Sequence, residues 1–173
     1  MGGALAQQLA FANPRTCRRV VLVATATGSL MVPARPRVLL RMATPRRFRD
    51  AGYARDVAGE IYGGSLRGRP DLVERLVLAH NSLAHDSSDS VRSYLYQLGA
   101  GLGWTSLPML PLIRQPTLVL AGSDDPIIPL VNARIMTRLL PDARLHVYDE
   151  GHLGILIIVL ELAGKGSDFL TAR

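Results

Sequence analysis

Two short runs of β-branched and aliphatic residues, RVVLVAT at 19–25 and PTLVLAG at 116–122, set the terms for any fold of this chain. Each is apolar at consecutive positions, so a strand made from either must be covered on both faces, as in a parallel sheet flanked by helices. A third run at 144–148 is shorter and more polar, and a helical pattern at about 130–140 separates it from the second. With a last helix expected at about 153–170, the order is that of βαβ units. The expected fold class is therefore α/β, with a parallel sheet of about three strands and flanking helices. Ahead of the first run, GGALAQQLAFANPR at 2–15 carries Ala and Leu at helical spacing between two glycines and a proline, which reads as a helix entered through a tight turn.

The stretch 27–114 is different. It has no strand-like run, has prolines near its start (Pro33, Pro36, Pro45), and shows amphipathic helical patterns at about 50–62, 70–84 and 88–98. A structureless loop of that length is improbable in a compact domain, so the reading is an inserted helical cap over the C-terminal edge of the sheet. The expected organisation is core at 1–26, cap at 27–114, and the remainder of the core at 115–173.

A chain of 173 residues that is 48% hydrophobic and 20% charged can bury a substantial core. Its formal net charge of +6 comes from scattered Arg and short pairs such as Arg18-Arg19 and Arg46-Arg47. There is no Lys/Arg run and no aromatic stacking pattern, which argues against a nucleic-acid partner. The single cysteine, Cys17, excludes an internal disulfide and a multi-cysteine metal centre, and reads as a small apolar filler. No cofactor or metal is expected. The N-terminus lacks the charged and apolar stretches of a secretory signal, and the apolar run at 153–160 is far shorter than the roughly 20 residues of a membrane span. A cytoplasmic protein with no transmembrane segment is the expectation.

The chemistry-bearing residues stand at strand ends. GSDDPIIP at 122–129 offers a carboxylate after the second strand, and DEGH at 149–152 offers an imidazole after the third. Adjacent parallel strands bring such groups together above the sheet, where the carboxylate orients the imidazole and stabilises its protonated form. Taken alone, the first motif is equally an Asx-turn with N-cap chemistry, and a lone His after a strand is usually structural. Order and spacing favour the catalytic reading, since Asp125 precedes His152 by 27 residues and hydrolase triads run Ser, Asp or Glu, His. Asp125 is the preferred acid and Asp124 its rival. His80 and His85 in the cap stretch and His146 within a strand are weaker candidates. No Gly-x-Ser-x-Gly occurs, and MGGALAQQLA at 1–10 matches the residues on the C-terminal side of the serine in such an elbow.

GGALAQQLAFANP, Glu60-Ile61-Tyr62-Gly63-Gly64, the run 100–106 (AGLGWTS) and RQPTLVLAG at 114–122 with its acid loop together resemble the α/β-hydrolase family. Within that family the likeness is to the intracellular medium-chain polyhydroxyalkanoate depolymerases. The resemblance implies a serine esterase cutting the ester bonds of a hydrophobic storage polyester, with the cap shaping an apolar acyl site. It assigns Asp125 as triad acid and His152 as general base, and matches no residue to the nucleophile. The expectation is a truncated chain beginning just after that serine, without activity of its own, and prone to associate through an uncovered sheet edge. Two other readings stand beside it: a non-catalytic protein that binds a hydrophobic ligand or granule surface, and a hydrolase of the same fold acting on a small acyl ester or lactone.

Overall fold

The computed structural model describes residues 1–83, 87–158, 167 and 169–171. Its three strands, β1 (Val20–Val23), β2 (Thr117–Gly122) and β3 (Ala143–Tyr148), form a parallel sheet in the order β1-β2-β3. Val20 lies opposite Thr117, and Thr117 opposite Ala143. The α-helices are α1 (Gly2–Ala12), α2 (Pro36–Ala43), α3 (Ala51–Tyr62), α4 (Pro70–Leu83), α5 (Ser87–Leu102), α6 (Leu130–Leu139) and α7 (Gly154–Ile157).

β2 is buried at all six positions, as its unbroken apolar sequence requires. On one face of the sheet, Val20, Leu22, Val119 and Ala121 pack with Ala10 of α1 and with Ala133 and Met136 of α6. On the other, Leu118, Leu120 and Tyr148 meet Ile155, Ile158 and Phe169. Removing Leu120 from water contributes about 1.5–3 kcal/mol.

β1 is shorter than the run 19–25 suggests. Ala24 has φ +44°, a left-handed conformation costing an L-residue about 1–2 kcal/mol, and this turns the chain out of the sheet directly after Val23. At the far end, the span of the expected last helix is helical at Gly154–Ile157, at 167 and at 169–171, with 159–166 and 168 outside the described residues.

Between β1 and β2 every described helix or strand is helical apart from one isolated antiparallel bridge, Gly28 with Thr105. That bridge forms a neck. Ser29 N–H donates to the Trp104 carbonyl at 2.8 Å, and Ser106 N–H to the Thr27 carbonyl at 2.9 Å. α3 starts where Asp50 caps it, its side chain accepting the Tyr53 N–H at 2.9 Å. α2 has no clear periodic signal among the prolines; Pro36 occupies its first turn, where a missing N–H costs nothing. The segment has its own apolar cluster, Ala58, Leu66, Val73 and Val77, and Leu153 and Ile157 from the loop after β3 pack into it.

Candidate active site

The loops after β2 and β3 leave the same end of two adjacent parallel strands, and the structure brings Asp125 and His152 together there. His152 Nδ1 lies 2.8 Å from Asp125 Oδ2. A carboxylate only accepts, so the short contact places the imidazole proton on Nδ1 and leaves Nε2 able to receive one. The Asp125 side chain is 2% exposed and that of His152 24%, so the pair has a dry end and an open end. Oδ1 of Asp125 accepts the Ile127 and Ile128 amides at 2.9 and 2.8 Å. The turn-forming and imidazole-orienting roles thus fall to the two oxygens of one residue. Asp125 does not cap α6, which begins after Pro129 without a side-chain cap.

Asp124 is directed elsewhere. Its carboxylate takes a two-pronged contact from Arg67, Nε at 2.8 Å and Nη2 at 3.1 Å, and the Gly64 N–H at 2.8 Å. Arg67, first among the causes, holds the Asp124 carboxyl below the usual carboxylate range. His146 lies in β3 and Cys17 donates its thiol to the Arg19 carbonyl at 3.6 Å, both apart from the pair. The side chain of His80 and all of His85 lie outside the described residues.

Glu150 escaped the sequence reading. It is 5% exposed, and it accepts the Ser65 N–H at 2.9 Å as well as the Ser65 hydroxyl. Its one local signal was an acid two residues before the histidine. Its partner is 85 positions away, where no periodicity points. Beside it, burial and then the charges of Asp125 and Glu150 push the Tyr148 phenol up to about 12.

A cavity of about 1130 Å³ lies between the helical segment and the loop after β2. Its walls include Arg35, Arg55, Arg67, Glu60, Asp124 and Asp125, together with Val38, Leu66 and Val73. The lining of this cavity thus mixes charged and apolar side chains. Arg37 and Arg41 pair with Glu60, and Arg55 with Glu74 at 2.6 Å, so that Arg37, Arg55, Glu60 and Glu74 give the cavity a charged, partly exposed rim. Among the described residues no group of three or more His, Cys, Asp or Glu is placed to hold a metal ion.

A parallel sheet with an acid and a histidine on successive strand-end loops defines a class, and the chain belongs to the α/β-hydrolase fold family, whose model matches residues 1–157. Within that class it is 48% identical, over 155 residues, to a poly(3-hydroxyalkanoate) depolymerase of Ectopseudomonas oleovorans, covering 90% of this chain and 53% of that protein. The chain thus spans about half the length of this curated relative. Among solved structures, 2-hydroxy-6-oxo-6-phenylhexa-2,4-dienoate hydrolase from Rhodococcus sp. strain RHA1 superposes with a TM-score of 0.76 at 21% identity, covering 99% of this chain and 62% of that one. The enol-lactonase from Burkholderia xenovorans LB400 gives 0.75 at 23% identity, over 99% and 63%. At such identities the two structures speak for the fold. No helix among the described residues is long and apolar enough to cross a membrane.

Proposed function

We propose that the chain carries the acid and base of a serine esterase of the depolymerase type, acting in the cytoplasm on ester bonds of a poly(3-hydroxyalkanoate) or a related acyl ester. The observation that carries this reading is the 2.8 Å contact of Asp125 with His152 at adjacent strand ends, in a chain 48% identical to a depolymerase. In it, His152 Nε2 takes the proton of an attacking serine hydroxyl as the acyl carbon is attacked. The imidazolium then returns a proton to the leaving alkoxide, with Asp125 stabilising the charge throughout. Residues 27–114 serve as a cap, and the ion-paired wall beneath it receives the polar ester and hydroxyl end of the substrate, with the apolar chain directed away.

The 173 residues contain no Gly-x-Ser-x-Gly, so the reading takes the serine from residues outside them. These residues alone then hydrolyse no ester above background, since nucleophile, base and oxyanion donors act as a unit. The test is a medium-chain nitrophenyl ester assay on these residues and on a polypeptide extended upstream through a Gly-x-Ser strand end. Activity confined to the extended chain, and abolished by His152→Ala, supports the proposal. Robust His152-dependent turnover by the 173 residues, or none by either chain, refutes it.

A further inference from the structure

The supports of His152 come from the helical segment more than from the sheet. The His152 N–H donates to the Tyr62 carbonyl at 2.8 Å. Two residues earlier, Glu150 is held by the Ser65 amide and hydroxyl, and one residue later, Leu153 packs into the cluster of Ala58, Leu66, Val73 and Val77. Asp124, immediately before the acid, is gripped by Arg67 and by the Gly64 amide. All of these hydrogen-bonding partners sit on one turn, 62–67, which joins α3 to α4.

That turn is shaped to make the contacts. Gly63 and Gly64 have φ of +68° and +55°, conformations an L side chain rarely adopts. A Cβ on Gly63 would strike the Asp124 carbonyl and the Pro126 ring, and one on Gly64 would strike the Glu150 carboxylate and the Gly151 amide. Two glycines therefore let the backbone of the helical segment lie directly against both loops. A buried carboxylate needs compensation, and besides the Gly151 N–H at 3.3 Å Glu150 takes its two shorter hydrogen bonds from Ser65 on this turn.

We propose that Glu150 and Asp124, through Ser65 and Arg67, are positioning residues that fasten the 62–67 turn to both strand-end loops and so set the imidazole of His152 on Asp125. The proposal rests on reading Asp125 and His152 as the working pair. It makes the helical segment part of the histidine's support. Arg67 and Asp124 also line the cavity, so an occupant presses on the residues that aim the base.

The test uses the 173-residue chain and nuclear magnetic resonance, following the His152 ring nitrogens, its Nδ1 proton and its amide exchange. In Ser65→Ala and Arg67→Ala, the Nδ1-protonated tautomer should give way to a mixture, its downfield proton should disappear, and the amide should lose protection. Ser65→Thr, which keeps the hydroxyl, should restore the native signals. Met136→Ala, which loosens the opposite side of the sheet, should lower the melting temperature and leave the His152 ring unchanged. Native ring and amide signals in folded Ser65→Ala and Arg67→Ala overturn the proposal, as does an equal change in Met136→Ala. Should Arg67→Ala not fold, Arg67→Lys, which keeps the charge and loses the two-pronged geometry, is read in its place by the same criterion. Because the signals are read without turnover, an esterase assay that fails would refute the catalytic reading and leave this result standing.

Discussion

Asp125 meets His152 with one oxygen, Oδ2 to Nδ1 at 2.8 Å, while its other oxygen is fixed by the Ile127 and Ile128 amides. The carboxylate is therefore locked in rotation by its own loop, and the imidazole docks on a prepared acceptor.

Asp125→Asn should preserve the loop and damage the chemistry. The amide oxygen can still accept from Ile127 and Ile128, which turns the NH2 group toward His152 Nδ1 and selects the wrong tautomer. In a polypeptide that includes the nucleophile, kcat should fall by roughly 10⁴ with little change in KM. Steady-state kinetics on a nitrophenyl ester provide the check, and a loss under about tenfold, one pKa unit's worth of interaction, would remove Asp125 from the triad.

The Asp124 to Arg67 pair should leave a mark on acid stability. A carboxyl with a depressed folded pKa contributes stability that is present above its unfolded value of about 3.9 and is lost as pH falls through the folded value. The pair is half exposed, 49% and 51%, so the contribution is at most about 1 kcal/mol. Denaturant midpoints should accordingly fall less steeply below about pH 4 in Asp124→Asn than in the wild type.

Tyr148 gives the opposite limb. Its phenol is pushed up to about 12, so the fold favours the neutral form. Stability is intact below the ordinary tyrosine value of about 10 and is lost as pH rises from there toward the folded value. The buried hydroxyl has no hydrogen-bond partner among the described residues, so Tyr148→Phe should be within about 1 kcal/mol of neutral at pH 7 and should flatten the alkaline decline. Urea titrations at about pH 7 and about pH 10.5 on both proteins would decide it.

Leu120→Ala should cost about 2–5 kcal/mol, because the side chain sits in the fully buried central strand with packed neighbours on both sides. Thermal unfolding measures this directly. A loss below about 1 kcal/mol would mean that the core on the Tyr148 face is loosely packed.

Among the described residues β1 pairs only with β2, so its outer edge presents free backbone donors and acceptors. Sedimentation of the 173 residues should show concentration-dependent association, and Val21→Lys should suppress it. Monomeric behaviour at all concentrations would show that the edge is covered.

The parts of the fold that local periodicity controls were readable from the sequence. β2, β3, α1 and α6 fell within a few residues of their places because apolar runs and 3.6-residue patterns declare themselves locally. β1 was overextended, since nothing in VVLVAT announces that Ala24 turns left-handed. That Asp125 and His152 would meet was legible from their places after adjacent strands. Glu150 was not, because its meaning lies in Ser65, and neither was the charged cavity wall, because the Arg55 to Glu74 pair joins positions 19 residues apart on two helices. Pairings across tens of residues leave no periodic trace.

Gly63 and Gly64, pressed against the backbones of two other loops, bear on how far this architecture is modular. Residues 27–114 could not be exchanged for the corresponding helices of another hydrolase as an independent cassette. Glu150 would lose the Ser65 amide and hydroxyl and keep the Gly151 N–H at 3.3 Å, and an incoming side chain at position 63 or 64 would collide with the loops carrying Asp125 and His152. A viable graft must bring its own matched residues at 124 and 150. Divergence of such segments among hydrolases should therefore proceed by paired replacement across the seam, with turn and loops changing together.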